Sequence, residues 1–293
     1  MNMPASNRAP YSQEISRSTP ACFLFLIDQS LSMEEPLGGA GAPKCEMLAD
    51  AINGWLENMI IKASGDKGVK DWMEIAVVGY RTDDVGNPII ESALQGDLAG
   101  SGFLPISKLN EHPLRVVDKM QQVYDAEAGE MNEFPTKVRV WVDPVKQGGT
   151  PMCTALHHAY GLLEQWIANH KNCYPPIVVH ITDGEPQDGD PGPYAEPIRG
   201  LATDDGNVLM FNCHLSMHAA DQIMFPPSVE MLPDQYAQDL YRMSSVLPEP
   251  IFNRAVMEGF AVQPGAKGFV FNADAIALVQ FLDMGTRIAK QLR

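Results

Sequence analysis

Three oxygen-bearing side chains, Asp28, Ser30 and Ser32, stand at alternate positions directly after the apolar run Phe23-Leu24-Phe25-Leu26-Ile27. One carboxylate and two hydroxyls gathered on a turn suit a hard cation such as magnesium, manganese or calcium better than zinc. Two further segments carry groups of the same kind. Thr150 follows the glycines of Gln147-Gly148-Gly149, and Asp183 ends the apolar run Ile177-Val178-Val179-His180-Ile181-Thr182 at Gly184. If Asp28 and Asp183 lie about 5 Å apart, they repel by roughly 3 kcal/mol at an effective dielectric near 20, so a site uniting them favours a bound cation. Two formal negative charges would face that cation, leaving it electrophilic enough to accept one more carboxylate.

The elements that must position these groups are legible in the pattern around them. A short apolar run bounded by polar turn residues reads as a strand buried on both faces, as in a parallel sheet covered by helices. Ligands of open α/β sheets gather outside the carboxyl ends of such strands, where Asp28 and Asp183 emerge. The spacing from Met152 to Trp166 suits a helix, with Thr150 as its N-cap and Pro151 at its first position. Lys44 to about Ile61 has apolar residues at helical spacing and predicts a first amphipathic helix. Strands are predicted over 21–27, 73–80, 138–142, 208–215 and 268–271, with a closing helix over 273–290. The strand over 73–80 is expected at the antiparallel edge. Alternating strands and helices imply a mostly parallel sheet.

With its strand contexts in place, the chain resembles the von Willebrand factor A (vWA) family. Asp28-Gln29-Ser30-Leu31-Ser32 matches that family's Asp-x-Ser-x-Ser element, Thr150 its isolated threonine, and Asp183-Gly184 its second aspartate, in the family's order. The resemblance implies a Rossmann-like, doubly wound α/β fold with a mostly parallel sheet, flanking helices and one antiparallel edge strand. It also implies a metal-ion-dependent adhesion site. In it Ser30 and Ser32 ligate a divalent cation directly, Thr150, Asp28 and Asp183 do so directly or through water, and one coordination position is left for an acidic residue of a partner.

Composition bounds the rest. The 293 residues suit one vWA-type domain over 19–293, preceded by a poorly ordered arm over 1–18 rich in Ser, Pro and Asn. A net charge of −16 disfavours nucleic acid and anionic membranes as partners. The sequence shows neither a membrane-spanning apolar run nor a secretory leader, so a cytoplasmic location is expected. Cys22, Cys45, Cys153, Cys173 and Cys213 form no Cys-x-x-Cys pair and are read as reduced thiols, Cys22 and Cys213 as small buried hydrophobes.

Other groups invite a second site. His214 and His218 stand four apart and His157 and His158 are adjacent, but neither pair brings the third ligand or catalytic glutamate that zinc sites need, so surface or hydrogen-bonded histidines are expected. Asp188 and Asp190 read as a solvated acidic loop or a peripheral cation site. Arg81, Thr82 and Asp83 either line the metal site or form a solvated turn. The Pro-rich segment 216–264, with helices expected at 235–245 and 251–260, reads as an insertion that recognises a partner or pads the fold. Together with the closing segment 265–274 it is similar to bacterial tellurite-resistance-type vWA proteins, a likeness that implies a stress or signalling setting with a protein kinase and a phosphatase. Three function classes follow. The first is a metal-dependent protein-interaction module, the second a metal-independent vWA scaffold. The third, a phosphohydrolase using Asp28, is disfavoured because Ser30 stands where that chemistry needs a second aspartate. No enzyme is expected.

Overall fold

The computed structural model describes residues 9–37, 41–125, 130–216 and 221–286. In chain order the elements are β1 (Ala21–Asp28), α1 (Lys44–Ala63), β2 (Met73–Thr82), β3 (Pro88–Ser92), β4 (Leu104–Pro105), α2 (Ile106–Glu111), β5 (Arg115–Asp125) and β6 (Glu130–Val140). They continue with α3 (Met152–Asn169), β7 (Ile177–Thr182), α4 (Gly192–Gly200), β8 (Leu209–His214), β9 (Ile223–Met224), α5 (Gln235–Met243), α6 (Glu249–Met257), β10 (Phe269–Phe271) and α7 (Ala275–Thr286).

Every residue of β1 is buried, and successive side chains enter opposite cores, as a strand covered on both faces requires. Phe23, Phe25 and Ile27 join α1, α6 and α7 on one side. Cys22, Leu24 and Leu26 join α3, α4 and α5 on the other. Trp55 of α1 sets its edge against Phe25, with ring centroids 4.7 Å apart. The main sheet runs β9-β10-β8-β7-β1-β2-β3, with β4 also on β2. The strands β10, β8, β7, β1 and β2 are parallel, and antiparallel pairing is confined to the edges. This is the mostly parallel α/β architecture of a vWA-like fold.

Some local expectations change. The strand over 73–80 is parallel, paired with β1 from Ala21↔Met73 to Asp28↔Tyr80, and the antiparallel edge is β3. The strand expected over 138–142 ends at Val140, as one arm of a long hairpin with β5 outside the main sheet. Asn53 of α1 replaces the missing strand partner. Its Oδ1 accepts the N–H groups of Trp141 at 2.9 Å and Val142 at 3.1 Å, and its Nδ2 donates to the Val142 carbonyl at 2.8 Å. A side chain from another element can satisfy two backbone donors in this way, and a one-dimensional pattern does not show it.

Residues 1–8 of the expected arm lie outside the described residues. Residues 9–18 run against the fold: the Tyr11 N–H bonds the Asp205 carbonyl at 2.8 Å, and Ile15 is buried. Within 216–264, α5 buries Ala237, Leu240 and Met243 against one face of the sheet, and α6 buries Ile251 and Ala255 against the other. Much of that segment is therefore core. Among the described residues, no helix is long and apolar enough to cross a membrane.

Candidate metal centre

Asp28 ends β1 at the carboxyl edge of the sheet and is buried. One carboxylate oxygen accepts the Ser30 N–H at 2.8 Å, which folds the chain back into a turn, and the other accepts the Thr182 hydroxyl at 2.6 Å. The turn brings the Ser30 and Ser32 hydroxyl oxygens 3.0 Å apart. The short helical turn Leu31–Glu34 that follows ends in Glu35, whose carbonyl accepts the N–H of Lys44, the first residue of α1.

The Thr150 loop is stitched to this corner. The Gln147 N–H donates to the Gln29 carbonyl at 2.8 Å, the Leu31 N–H to the Gly148 carbonyl at 3.0 Å, and the Gly149 N–H to the Thr82 hydroxyl at 2.7 Å. Gly148 has φ +62°, and a Cβ there would lie 2.2 Å from the Thr82 carbonyl oxygen, so only glycine fits. Thr150 does not cap α3. The cap position is Pro151, and Asp188 supplies the cap from another loop, its oxygens accepting the N–H groups of Cys153 at 2.9 Å and Thr154 at 2.8 Å. This frees Thr150 from the capping role. Ser30, Ser32 and Thr150 line one cleft of about 560 Å³ together with Glu34, Glu35 and Glu185.

Asp183 follows β7. His214 donates from Nε2 to the Asp183 carbonyl at 2.6 Å and so holds the turn, and at Gly184 a Cβ would come within 2.7 Å of that same nitrogen. The two carboxylate oxygens of Asp183 differ. Oδ2 lies 3.3 Å from the Lys44 ammonium, whereas Oδ1 is buried with no hydrogen-bond partner among the described residues. A buried carboxylate oxygen without a donor is costly, and that cost is removed by a cation at this position.

Burial, and then the neighbouring Asp183, push Asp28 up to about 7 against the opposing hydrogen bonds from Ser30 and Thr182. Behind it, a buried polar chain crosses the sheet. The Tyr80 hydroxyl meets His180 Nε2 at 2.8 Å, His180 Nδ1 meets Asn212 Oδ1 at 2.9 Å, and Asn212 Nδ2 donates to the Ser244 hydroxyl at 2.9 Å. The Ser244 hydroxyl donates onward to the Leu240 carbonyl, so each donor in the chain has an acceptor and His180 is neutral with its proton on Nδ1. Burial lowers the His180 pKa to about 4, in keeping with that state.

The donors fit a hard divalent cation: two carboxylates, one of them with an orphaned oxygen, and three hydroxyls; Ser30, Ser32 and Thr150 share the cleft, while Asp28 and Asp183 lie outside its lining. Among the described residues no three His, Cys, Asp or Glu side chains converge into a cluster, so any cation here depends on the serine and threonine hydroxyls. Reasoning from sequence did not reach Thr182, the donor that holds Asp28, or Lys44, the charge beside Asp183. The signal for Lys44 was a lysine opening an amphipathic helix, at the end where the macrodipole disfavours a cation.

The remaining candidates have structural duties. Arg81 donates to Gln29 at 3.0 Å and to Glu91 at 2.8 Å, bracing the corner loop, and Asp83 closes its turn by accepting from Val85 and Asn87. Asp190 accepts from Gly192. His157 and His158 are exposed on α3, and His218 lies outside the described residues. All five cysteines are unpaired and buried.

No protein-family model and no curated protein matches the sequence. Among solved structures the chain is similar to the pilus adhesin SpaC from Lactobacillus rhamnosus GG, at 10% identity and a TM-score of 0.50, over 93% of this chain and 31% of that one. It thus spans about a third of SpaC. It is also similar to the PilB minor pilin from Streptococcus sanguinis, at 12% identity and TM-score 0.47 over 94% of this chain and 62% of that one. A third is the ArnB paralog VWA2 from Sulfolobus acidocaldarius, at 14% identity and TM-score 0.32 over 67% and 35%. The likeness to SpaC extends to the fold alone, and at their lower scores the other two establish nothing further.

Proposed function

We propose that this chain is a vWA-type protein-interaction module in which Asp28, Ser30, Ser32, Thr150 and Asp183 hold magnesium, manganese or calcium and engage an acidic residue of a protein partner. The observation that carries the reading is the buried Asp183 Oδ1, which has no donor among the described residues, together with a cleft that Ser30, Ser32 and Thr150 line. A bound cation would supply one open electrophilic coordination position. The chain's own part is to hold the ligands: Thr182 and the Ser30 N–H fix Asp28, His214 fixes the Asp183 turn, and Thr82 and Gln29 fix the Thr150 loop.

Glu34, Glu35 and Glu185 in the cleft lining bear on the choice of partner. Lys146 already pairs with Glu34, so a ligand that brings a carboxylate to the cleft gains most from positive charge placed at Glu35 and Glu185. A binding role is favoured over hydrolysis because both Asp28 oxygens are already hydrogen-bonded and the side chain is buried, which leaves it poorly placed as a nucleophile. The likeness to tellurite-resistance-type proteins extends the proposal to a bacterial cytoplasmic stress or signalling system with kinase and phosphatase partners.

A metal-independent scaffold is the second reading, and the Lys44 ammonium favours it by already neutralising part of Asp183. Affinity capture from the native host with and without chelator, read by mass spectrometry and repeated with Asp28→Ala, separates the two. Partners lost on both chelation and substitution support the metal-bridged module. Partners retained through both support the scaffold.

A further inference from the structure

Lys44 is fully buried, and among the described residues Asp183 is the hydrogen-bond partner of its ammonium, at 3.3 Å. Two penalties stand against a lysine there. An ammonium with three donors is withdrawn from water for one described acceptor. It also sits at the first position of the 20-residue helix α1, the positive end of the macrodipole. Apolar neighbours Cys45, Leu48 and Ile52 are buried on the same helix, so an apolar side chain at position 44 would meet neither penalty.

What offsets both is the negative charge of Asp183 in front of it. The backbone strengthens the placement: the Lys44 N–H is tied to the Glu35 carbonyl, which closes the same turn that carries Ser30 and Ser32. Lys44 is thus anchored to the corner it neutralises, and a charge fixed in a buried site acts with little screening.

We propose that Lys44 is a tethered counter-ion of this site, which neutralises Asp183 in the metal-free protein and competes with a divalent cation for it. The inference rests on the metal-binding reading above. Two cationic groups facing one carboxylate in a buried place repel each other, so cation binding must either move the ammonium off Oδ2 or proceed against its field. The site is consequently weak for divalent cations, and its metal-free state is held together instead of being pushed apart by two bare carboxylates.

The test is titration of the purified full chain with manganese, free Mn²⁺ being read by its electron paramagnetic resonance signal, for the wild type and Lys44→Met. Methionine keeps length and burial and removes the charge. Binding at least tenfold tighter in Lys44→Met, abolished by adding Asp183→Ala, is the expected result. Equal affinity in wild type and Lys44→Met overturns the counter-ion role while leaving the metal site standing. Weaker binding in Lys44→Met overturns it too, since Lys44 would then be orienting Asp183 for the metal. If neither protein binds manganese, the metal-binding reading itself fails, and the proposal with it.

Should Lys44→Met not fold, as judged by circular dichroism, the wild type still answers the question. Lys44 should be protected from acetic anhydride in chelator and at least several-fold more labelled in saturating manganese, by peptide mass spectrometry. Labelling that does not change on saturation overturns the competition for Asp183, and with it the proposal.

Discussion

Asp28→Asn should make the metal-free protein progressively more stable than the wild type as pH rises from 5 to 8. In the unfolded chain an aspartate titrates near 3.9, while in the fold burial and then Asp183 raise Asp28 to about 7. Between these values the folded state holds a proton that the unfolded state has lost. The stabilisation is therefore full below about pH 4, falls as pH rises, and is gone above about pH 7. A rise of that size corresponds to at most about 4 kcal/mol, or on the order of 10 °C in melting temperature for a chain of this length. Asparagine's amide oxygen can accept the Ser30 N–H, while its NH₂ faces the Thr182 hydroxyl, which loses Asp28 as its acceptor; that loss does not vary with pH and so leaves the pH dependence of the difference intact. His180, lowered to about 4, acts in the opposite sense: its contribution is present above pH 6.5 and lost as pH falls towards 4. It is common to both proteins, so the difference between their melting temperatures isolates Asp28. The assay is thermal melting by circular dichroism in chelator at pH 5, 6, 7 and 8. A difference that stays flat or shrinks over that range would refute the reasoning that Asp28 is a buried, repelled carboxylate.

Three further outcomes are expected. Asn53→Ala orphans the N–H groups of Trp141 and Val142 and should cost about 2 to 4 kcal/mol, measured by urea unfolding, whereas a loss under 0.5 kcal/mol would mean water replaces the side chain. Asp188→Ala removes the acceptor for two N–H groups opening α3 and should cost about 1 to 2 kcal/mol, while Thr150→Ala, which caps nothing, should leave unfolding in chelator nearly unchanged; equal losses in the two variants would contradict this division of roles. Leu26→Ala, at a fully buried position of the central strand, should cost about 2 to 5 kcal/mol in the same assay, and a smaller loss would show that the neighbouring core closes over the space.

How much of this was legible beforehand depended on the distance over which each feature is encoded. The buried strands declared themselves through local apolar runs, and the alternation of strands with amphipathic helices implied the mostly parallel sheet, since burial on both faces leaves a signature within six to eight consecutive residues. Asp28, Ser30, Ser32, Thr150 and Asp183 were nominated the same way, because strand ends and glycine turns are local, and strand ends in such a sheet share one edge.

The partners of those residues were decided by tertiary structure alone. Thr182 reaches Asp28 across 154 positions and Lys44 reaches Asp183 across 139, and neither pair has a spacing or periodicity to mark it. Thr150 reads as a helix cap by every local rule, yet Asp188 takes that role, because a carboxylate delivered by a neighbouring loop is a stronger acceptor for the helix N–H groups than a hydroxyl. The parallel placement of β2 likewise follows from which strand β1 meets once the chain is packed. Local pattern states what each segment will bury, while the choice of neighbour, and with it the charge that faces each carboxylate, exists only after distant segments come together.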